Sequence, residues 1–192
     1  MSDTDRENKR YLPSKGTAVR IAECALFVVL MVVSAFIRIP FPPVPLTFQT
    51  VVAVLAGLML GPGYGAAAVA IYVFMGLLGL PVFTNGGGFA YVLEPTFGYI
   101  LGFVAAAFAA GLVRGRSVSL PPLIIAALAG FLVNYLIGVP YFMAIWHFYM
   151  NNGALWGAVL TYNVLYMPKD AALCVLSAFL ARTLFAATRR RS

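Results

Sequence analysis

The chain has 192 residues, of which 62% are hydrophobic and only 10% are charged, and its mean hydropathy is +0.92. Soluble domains carry about 25% charged residues, so a water-soluble fold is excluded, because it could not bury this much apolar side chain. The formal charge of +7 lies in clusters beside apolar segments. This placement favours orientation in a membrane over binding to nucleic acid.

The apolar segments, taken in chain order, predict six helices in one membrane bundle. Each segment ends at a proline, a glycine cluster or a charged turn. The predicted spans are Arg20 to Ile39, Thr47 to Leu60, Ala66 to Leu80, Pro95 or Thr96 to about Val113, Leu123 to about Trp146, and about Pro168 to Ala187.

The segments between these spans have their own signatures. The sequence GPGYG at residues 61–65 predicts a hairpin turn, and the stretch at 84–94 is too polar and glycine-rich for a helix exposed to lipid. Phe148 to Tyr166 is mixed in character and predicts an interfacial stretch that breaks at Asn151.

The domain prediction is a polar tail at residues 1–17, a six-helix membrane domain at 18–188 and a basic tail at 189–192. A cleaved signal peptide is the rival interpretation of the first span. We favour an uncleaved anchor, because apolar sequence continues past Ala35 and further spans follow.

The positions of the cations test the count of six. With an even number of spans, both termini and the turns after the second and fourth spans share one side. That side then holds eleven of the thirteen Lys and Arg residues, and only Arg38 and Lys169 fall on the other. Since short loops rich in Lys and Arg stay in the cytoplasm, both termini are predicted to be cytoplasmic. The eleven are Arg6, Lys9, Arg10, Lys15, Arg20, Arg114, Arg116, Arg182, Arg189, Arg190 and Arg191.

Polar side chains gather at the opposite, outward side, where they are costly unless they have a role. Helix capping accounts for Thr96 and Asp170 individually, but not for the glycines and aromatic residues around them. We therefore expect an outward-facing pocket for a small amphipathic solute. The polar residues on this side are Gln49, Thr84, Asn85, Glu94, Thr96, Asn163, Lys169 and Asp170.

Catalysis, metal binding and nucleotide binding are poorly supported. Asp170 is the only aspartate beyond the tail, His147 is the single histidine, and no phosphate-loop pattern is present. Cys24 and Cys174 lie within apolar segments and are expected to be packing residues. The sequence therefore predicts a protein that is not an enzyme, with no metal site and no cofactor.

Several stretches together resemble the BioY family, the biotin-binding S components of energy-coupling factor (ECF) transporters. The central ones are GLPVF at 79–83, NGGG at 85–88 and PTFGYILGF at 95–103. PLTFQ at 45–49, LGP at 60–62, GVPY at 138–141 and PKD at 168–170 resemble further parts of the family. The resemblance covers roughly Val19 to Leu184, in order.

This resemblance implies an S-component-like bundle with a biotin pocket near the outer face. It implies that Asp170 and Asn85 contact the ureido ring, and that Lys169 or the glycine amides meet the carboxylate. Many family members have Lys three residues after this aspartate, where this chain has Leu173. The site implied by the resemblance comprises Asp170, Asn85, Gly86, Gly87, Gly88, Phe89, Tyr91, Tyr99, Tyr141 and Lys169.

The family also implies partners in a bacterial or archaeal cytoplasmic membrane: a membrane coupling (T) subunit and two ATPase subunits. Ala18 and Ala22 stand on one face of the first helix, where S components dock on that coupling subunit. The alternative is a self-sufficient secondary carrier for a small organic solute. Such a carrier needs a titratable group at mid-membrane, and Asn134, the nearest polar residue there, does not titrate.

Overall fold

The computed structural model describes residues 16–39, 46–151, 153, 155–164 and 166–189. Within these residues the chain forms six long helices, one short helix and a two-stranded antiparallel pairing. The helices are α1 (Thr17–Phe36), α2 (Gln49–Leu60), α3 (Pro62–Leu77), α4 (Phe97–Arg114), α5 (Leu120–Ala144), α6 (Leu155–Val159) and α7 (Met167–Arg189). The strands are β1 (Arg38–Ile39) and β2 (Leu46–Thr47), and a 3₁₀ turn (Phe89–Leu93) precedes α4.

The prediction of a six-helix membrane bundle is confirmed, and the chain is a multi-pass membrane protein. α1, α4, α7 and α5 together with the π turn that follows it are long and apolar enough to cross a bilayer. α2 and α3 have only 12 and 16 residues, about 18 and 24 Å at 1.5 Å per residue. Non-helical backbone must complete the bundle beside them, and such backbone is tolerated at membrane depth where it is buried in protein or lines a cavity.

The structure corrects several predicted boundaries. Only Gly61, with φ of 82°, connects α2 to α3, and Pro62 already occupies the first position of α3, where a proline is well tolerated. The sequence GPGYG is therefore mostly helix. α1 begins at Thr17 and α7 reaches Arg189, so each takes in a residue assigned to a tail. Most of the predicted tails, with residues 40–45, lies outside the described residues.

The pairing of β1 with β2 was not predicted for an all-helical chain. Arg38 pairs with Thr47 in an antiparallel register. Ile39 precedes Pro40, and a residue before proline favours extended backbone, which explains why the helix does not continue here. In the mixed segment, the chain forms a π turn (Ile145–Tyr149), α6 and a second π turn (Leu160–Val164).

The long helices alternate in direction, and the positions of the arginines distinguish the two ends of the bundle. We call one the arginine end, where the described arginines other than Arg38 lie: Arg20, Arg114, Arg116, Arg182 and Arg189. Here the Arg114 guanidinium donates to the Leu58 carbonyl and lies 5.2 Å from the centroid of the Phe185 ring. These two contacts tie the C-terminal halves of α2, α4 and α7 together.

Glycines set how closely the helices approach. At Gly57 in α2, an added Cβ would lie 2.1 Å from the carbonyl oxygen of Ala107 in α4, so backbone meets backbone. At Gly138 in α5, an added Cβ would lie 2.3 Å from the ring of Tyr99. The first contact closes the bundle toward the arginine end, and the second seats an aromatic ring near the other end, which we call the cavity end.

Candidate ligand-binding site

A cavity opens at the cavity end, between the starts of α2, α4 and α7, the second half of α5 and the loop at 78–96. Its volume, measured as the space open to the centres of water molecules, is about 60 Å³. One water molecule needs about 10–15 Å³ of such space. The cavity walls combine hydroxyl, amide and aromatic groups with one ion pair. The lining residues are Thr47, Gln49, Thr50, Thr84, Tyr91, Thr96, Tyr99, Ile100, Phe103, Tyr135, Tyr166, Lys169 and Asp170.

Asp170 is the anionic group of this cavity and is only 9% exposed. Its Oδ2 accepts a hydrogen bond of 2.7 Å from the Tyr135 hydroxyl, and its Oδ1 lies 2.7 Å from Lys169 Nζ. It stands in the first turn of α7, where the helix dipole favours negative charge. A carboxylate has about four acceptor positions, so Asp170 can accept further hydrogen bonds from a ligand.

Aromatic rings form the wall beside Asp170. Tyr99 and Tyr135 pack edge to face with centroids 5.6 Å apart, and Phe131 packs on Tyr135 at 4.8 Å. The Tyr99 hydroxyl donates to Asn163 Oδ1, which fixes the ring over Gly138. The result is a rigid apolar surface with polar groups at its edge, as small-molecule sites require.

A buried hydrogen-bond chain holds the loop at 78–96 against the bundle. Thr84 Oγ1 donates to Gln49 Oε1 at 3.3 Å, Gln49 Nε2 donates to the Tyr72 hydroxyl at 2.6 Å, and that hydroxyl donates to the Val82 carbonyl at 3.2 Å. Phe83 is buried between Tyr72 and Tyr91, with ring centroids 5.5 and 4.7 Å away. The loop wall of the cavity is therefore anchored to α2 and α3.

The three glycines at 86–88 lie in a turn that backbone hydrogen bonds stabilise. Gly86 exchanges backbone hydrogen bonds with Phe83, and the amide of Gly88 donates to the Gly76 carbonyl at 2.7 Å. Gly86 and Gly88 have φ of 113° and 103°, a region that glycine adopts without strain. Since the amides of Gly86 and Gly88 are already used, the predicted role of the triplet as a carboxylate cradle gains no support.

Four of the predicted site residues line the cavity: Asp170, Lys169, Tyr91 and Tyr99. The structure does not bring the other six to its wall. Phe89 is 77% exposed. Tyr141 lies behind the wall and donates from its hydroxyl to the Val92 carbonyl. Asn85 is exposed and accepts a 2.9 Å hydrogen bond from Arg38, and the three glycines form the turn described above.

Sequence analysis missed Phe103, Tyr135 and Tyr166 as lining residues. Tyr135 carried a usable signal: its hydroxyl sits within an apolar helix, and a buried tyrosine hydroxyl needs a polar partner. Burial raises the pKa of the Tyr91 phenol above its usual value.

We expect Thr84→Val to lower the free energy of unfolding by about 1–3 kcal/mol, because it leaves the buried Gln49 Oε1 without its donor. Thr188→Val is the matched control. The Thr188 hydroxyl also donates one hydrogen bond, at 2.9 Å to the Leu184 main-chain carbonyl four residues earlier, but this bond is exposed. Thr188→Val should change stability by less than about 0.5 kcal/mol. Chemical unfolding of both variants in detergent measures the difference, and equal effects would contradict the anchoring role of Thr84.

Comparison with known proteins shows which family this chain is similar to. The family model described as "BioY family" matches residues 7–190. A probable biotin transporter BioY of Lysinibacillus sphaericus is 40% identical over 164 residues, 84% of each chain. A probable biotin transporter BioY of Pyrococcus horikoshii is 47% identical over 122 residues, 63% of this chain and 72% of the relative.

The same fold is found in a solved structure. A crystal structure described as the S-component for biotin from an ECF-type ABC transporter superposes with a TM-score of 0.68 at 24% identity. The match covers 97% of this chain and 95% of that one. This likeness therefore extends over nearly the whole chain.

Proposed function

The chain belongs to the BioY family, and on that premise we propose that it is the biotin-binding S component of an ECF-type transporter. The observation that carries this proposal is Asp170, a buried carboxylate in an aromatic-walled cavity. The ureido ring of biotin presents two N–H donors, which suit the free acceptor positions of that carboxylate. The fused apolar rings of biotin suit the surface formed by Tyr99 and Tyr135.

The other predicted site residues have proposed roles of two kinds. Tyr91 packs against the ligand from the loop side, and Lys169 balances the charge of Asp170 through their ion pair. The remaining residues act indirectly: Tyr141 supports the loop through Val92, and the glycines let the loop turn. Asn85 acts indirectly too, by accepting a hydrogen bond from the Arg38 guanidinium. Charge-assisted bonds to Asp170 are the strongest polar contacts such a site offers.

Titration of biotin into the purified chain tests the proposal directly. The experiment needs no partner subunit, because every group assigned to the ligand belongs to this chain. Riboflavin and thiamine serve as controls, since they are other vitamins with different polar groups. We expect tight binding of biotin and not of the two control vitamins. Absence of biotin binding would refute the assignment.

We further propose the orientation and partners of the complex. The arginine end faces the cytoplasm and both terminal tails lie in the cytoplasm, because basic residues stay on that side. The cavity then faces outward in a bacterial or archaeal cytoplasmic membrane. A coupling subunit and two ATPase subunits supply the energy, and the coupling subunit docks on α1.

The docking proposal rests on a stripe along α1. Ala18, Ala22 and Ala25 are exposed at helical spacing near the arginine end, where small side chains permit close approach of a partner helix. We expect Ala22→Trp to leave biotin affinity unchanged and to reduce ATP-driven uptake in cells by at least about tenfold. Uptake assays in cells with the complete transporter, with binding measured on the purified variant, check both halves.

The matched control for docking is Ala70→Trp, the same substitution at an exposed alanine of α3. It should spare both binding and uptake. Normal uptake by Ala22→Trp, or equal loss from both variants, would contradict docking through this stripe.

A further inference from the structure

A second cation, Arg38, stands at the mouth of the cavity. Its Nη1 donates to the Thr84 carbonyl and, at 2.9 Å, to Asn85 Oδ1. Its cross-strand partner in the β1–β2 pairing is Thr47. Thr84 and Thr47 both line the cavity, so the exposed guanidinium lies beside two wall residues from different parts of the chain.

The other donor groups assigned to a ligand carboxylate, one cationic and two neutral, are already engaged. Lys169 is paired with Asp170 at 2.7 Å, and the Gly86 and Gly88 amides bond to backbone carbonyls. Among the residues that the structure describes, Arg38 and Lys169 are the only Lys or Arg residues at the cavity end. A carboxylate near Asp170 would also be repelled by it. The anionic end of a ligand is therefore favoured on the opposite, Arg38 side.

We propose that Arg38 binds the carboxylate of the ligand, so that biotin lies with its ureido ring at Asp170 and its acid chain toward the β1–β2 pairing. This inference rests on the proposed function. A guanidinium has five N–H donors in a planar fork that matches a carboxylate. Among the described residues both hydrogen bonds of Arg38 leave from Nη1, which leaves donors for the ligand. Asn85 is then a positioning residue, which holds the guanidinium at the mouth.

The test compares biotin with biotinamide, in which a neutral amide replaces the carboxylate. The wild-type chain should bind biotin about 10- to 100-fold more tightly than biotinamide, the range expected for hydrogen bonds to a charged group. Arg38→Gln should abolish this preference and bind biotinamide as the wild type does. The matched control is Arg182→Gln, at an exposed arginine of the opposite end, which should keep the preference.

Two results would overturn the role of Arg38 while biotin binding stands: a preference that survives in Arg38→Gln, or equal losses for both ligands in a folded variant. Failure of the wild type to bind either ligand would overturn the proposed function itself.

Two further measurements apply even where Arg38→Gln does not fold. Arg38→Lys keeps the charge and should keep most of the preference. The wild-type preference should also shrink as salt is raised, because an exposed ion pair is screened. A preference that does not depend on salt, or one that is lost in a folded Arg38→Lys, counts against the proposal.

Discussion

Replacing Asp170 with asparagine should weaken biotin binding by about 10- to 100-fold, because hydrogen bonds to a charged group contribute about 1.5–3 kcal/mol. The amide has the shape of the carboxylate, so the packing of the cavity wall is retained. It loses the negative charge, however, and presents an NH₂ group where the ureido ring needs an acceptor. Lys169, now 2.7 Å from Oδ1, would also lose its counter-charge. Isothermal titration of the purified variant measures the effect.

Glu94→Gln is the matched control, since it makes the same chemical change at the same end of the bundle. Glu94 is exposed and does not line the cavity, so its removal should change affinity by less than about twofold. Tyr135→Phe should fall between the two, because it removes only the hydroxyl that orients Asp170. Unchanged affinity in Asp170→Asn would remove this residue from the site.

Replacing Gly57 with alanine should lower the free energy of unfolding by about 3 kcal/mol, the upper part of the usual range for overpacking. The added methyl carbon would lie 2.1 Å from the Ala107 carbonyl oxygen. A flexible side chain could move away from it, but a carbonyl within α4 moves only if the whole helix shifts. Chemical unfolding in detergent measures the loss.

The control is Gly63→Ala, the same substitution in the first turn of α3. An added Cβ there meets no atom within 4 Å. We expect it to be neutral or to stabilise by about 0.4–1 kcal/mol, since alanine restricts the unfolded chain. A stability of Gly57→Ala equal to that of Gly63→Ala would show that α2 and α4 are less closely packed than described.

The helices could be predicted because lipid imposes a simple rule: long apolar segments become helices. The boundaries were less predictable, because hydropathy reports which residues tolerate lipid and not where the hydrogen-bond ladder begins. Pro62 illustrates this difference, since it reads as a turn residue and yet starts α3. The β1–β2 pairing was missed for a similar reason, as two residues per strand give no detectable alternation.

The residues that line the cavity could be predicted in part. Asp170, Lys169, Tyr91 and Tyr99 were found through the family pattern and the polar clustering. Tyr135 was not found, because helices that are apolar on every face do not reveal which side turns inward. Tyr166 lies outside the helices, just before α7, where helical periodicity gives no signal. The glycine triplet was assigned to the ligand, but a glycine pattern does not specify which acceptors its amides meet. In this fold two of them bond to backbone carbonyls.

The two kinds of glycine contact have different consequences for how this protein can change. At Gly57 the neighbour is a main-chain carbonyl, which no substitution in α4 can remove. At Gly138 the neighbour is the ring of Tyr99, which can be exchanged for another side chain together with the glycine. New ligand preferences are therefore accessible by paired substitutions around the cavity, while the opposite half keeps one fixed architecture. Side-chain contacts can therefore vary around the cavity while main-chain contacts hold α2 and α4 at one spacing near the arginine end.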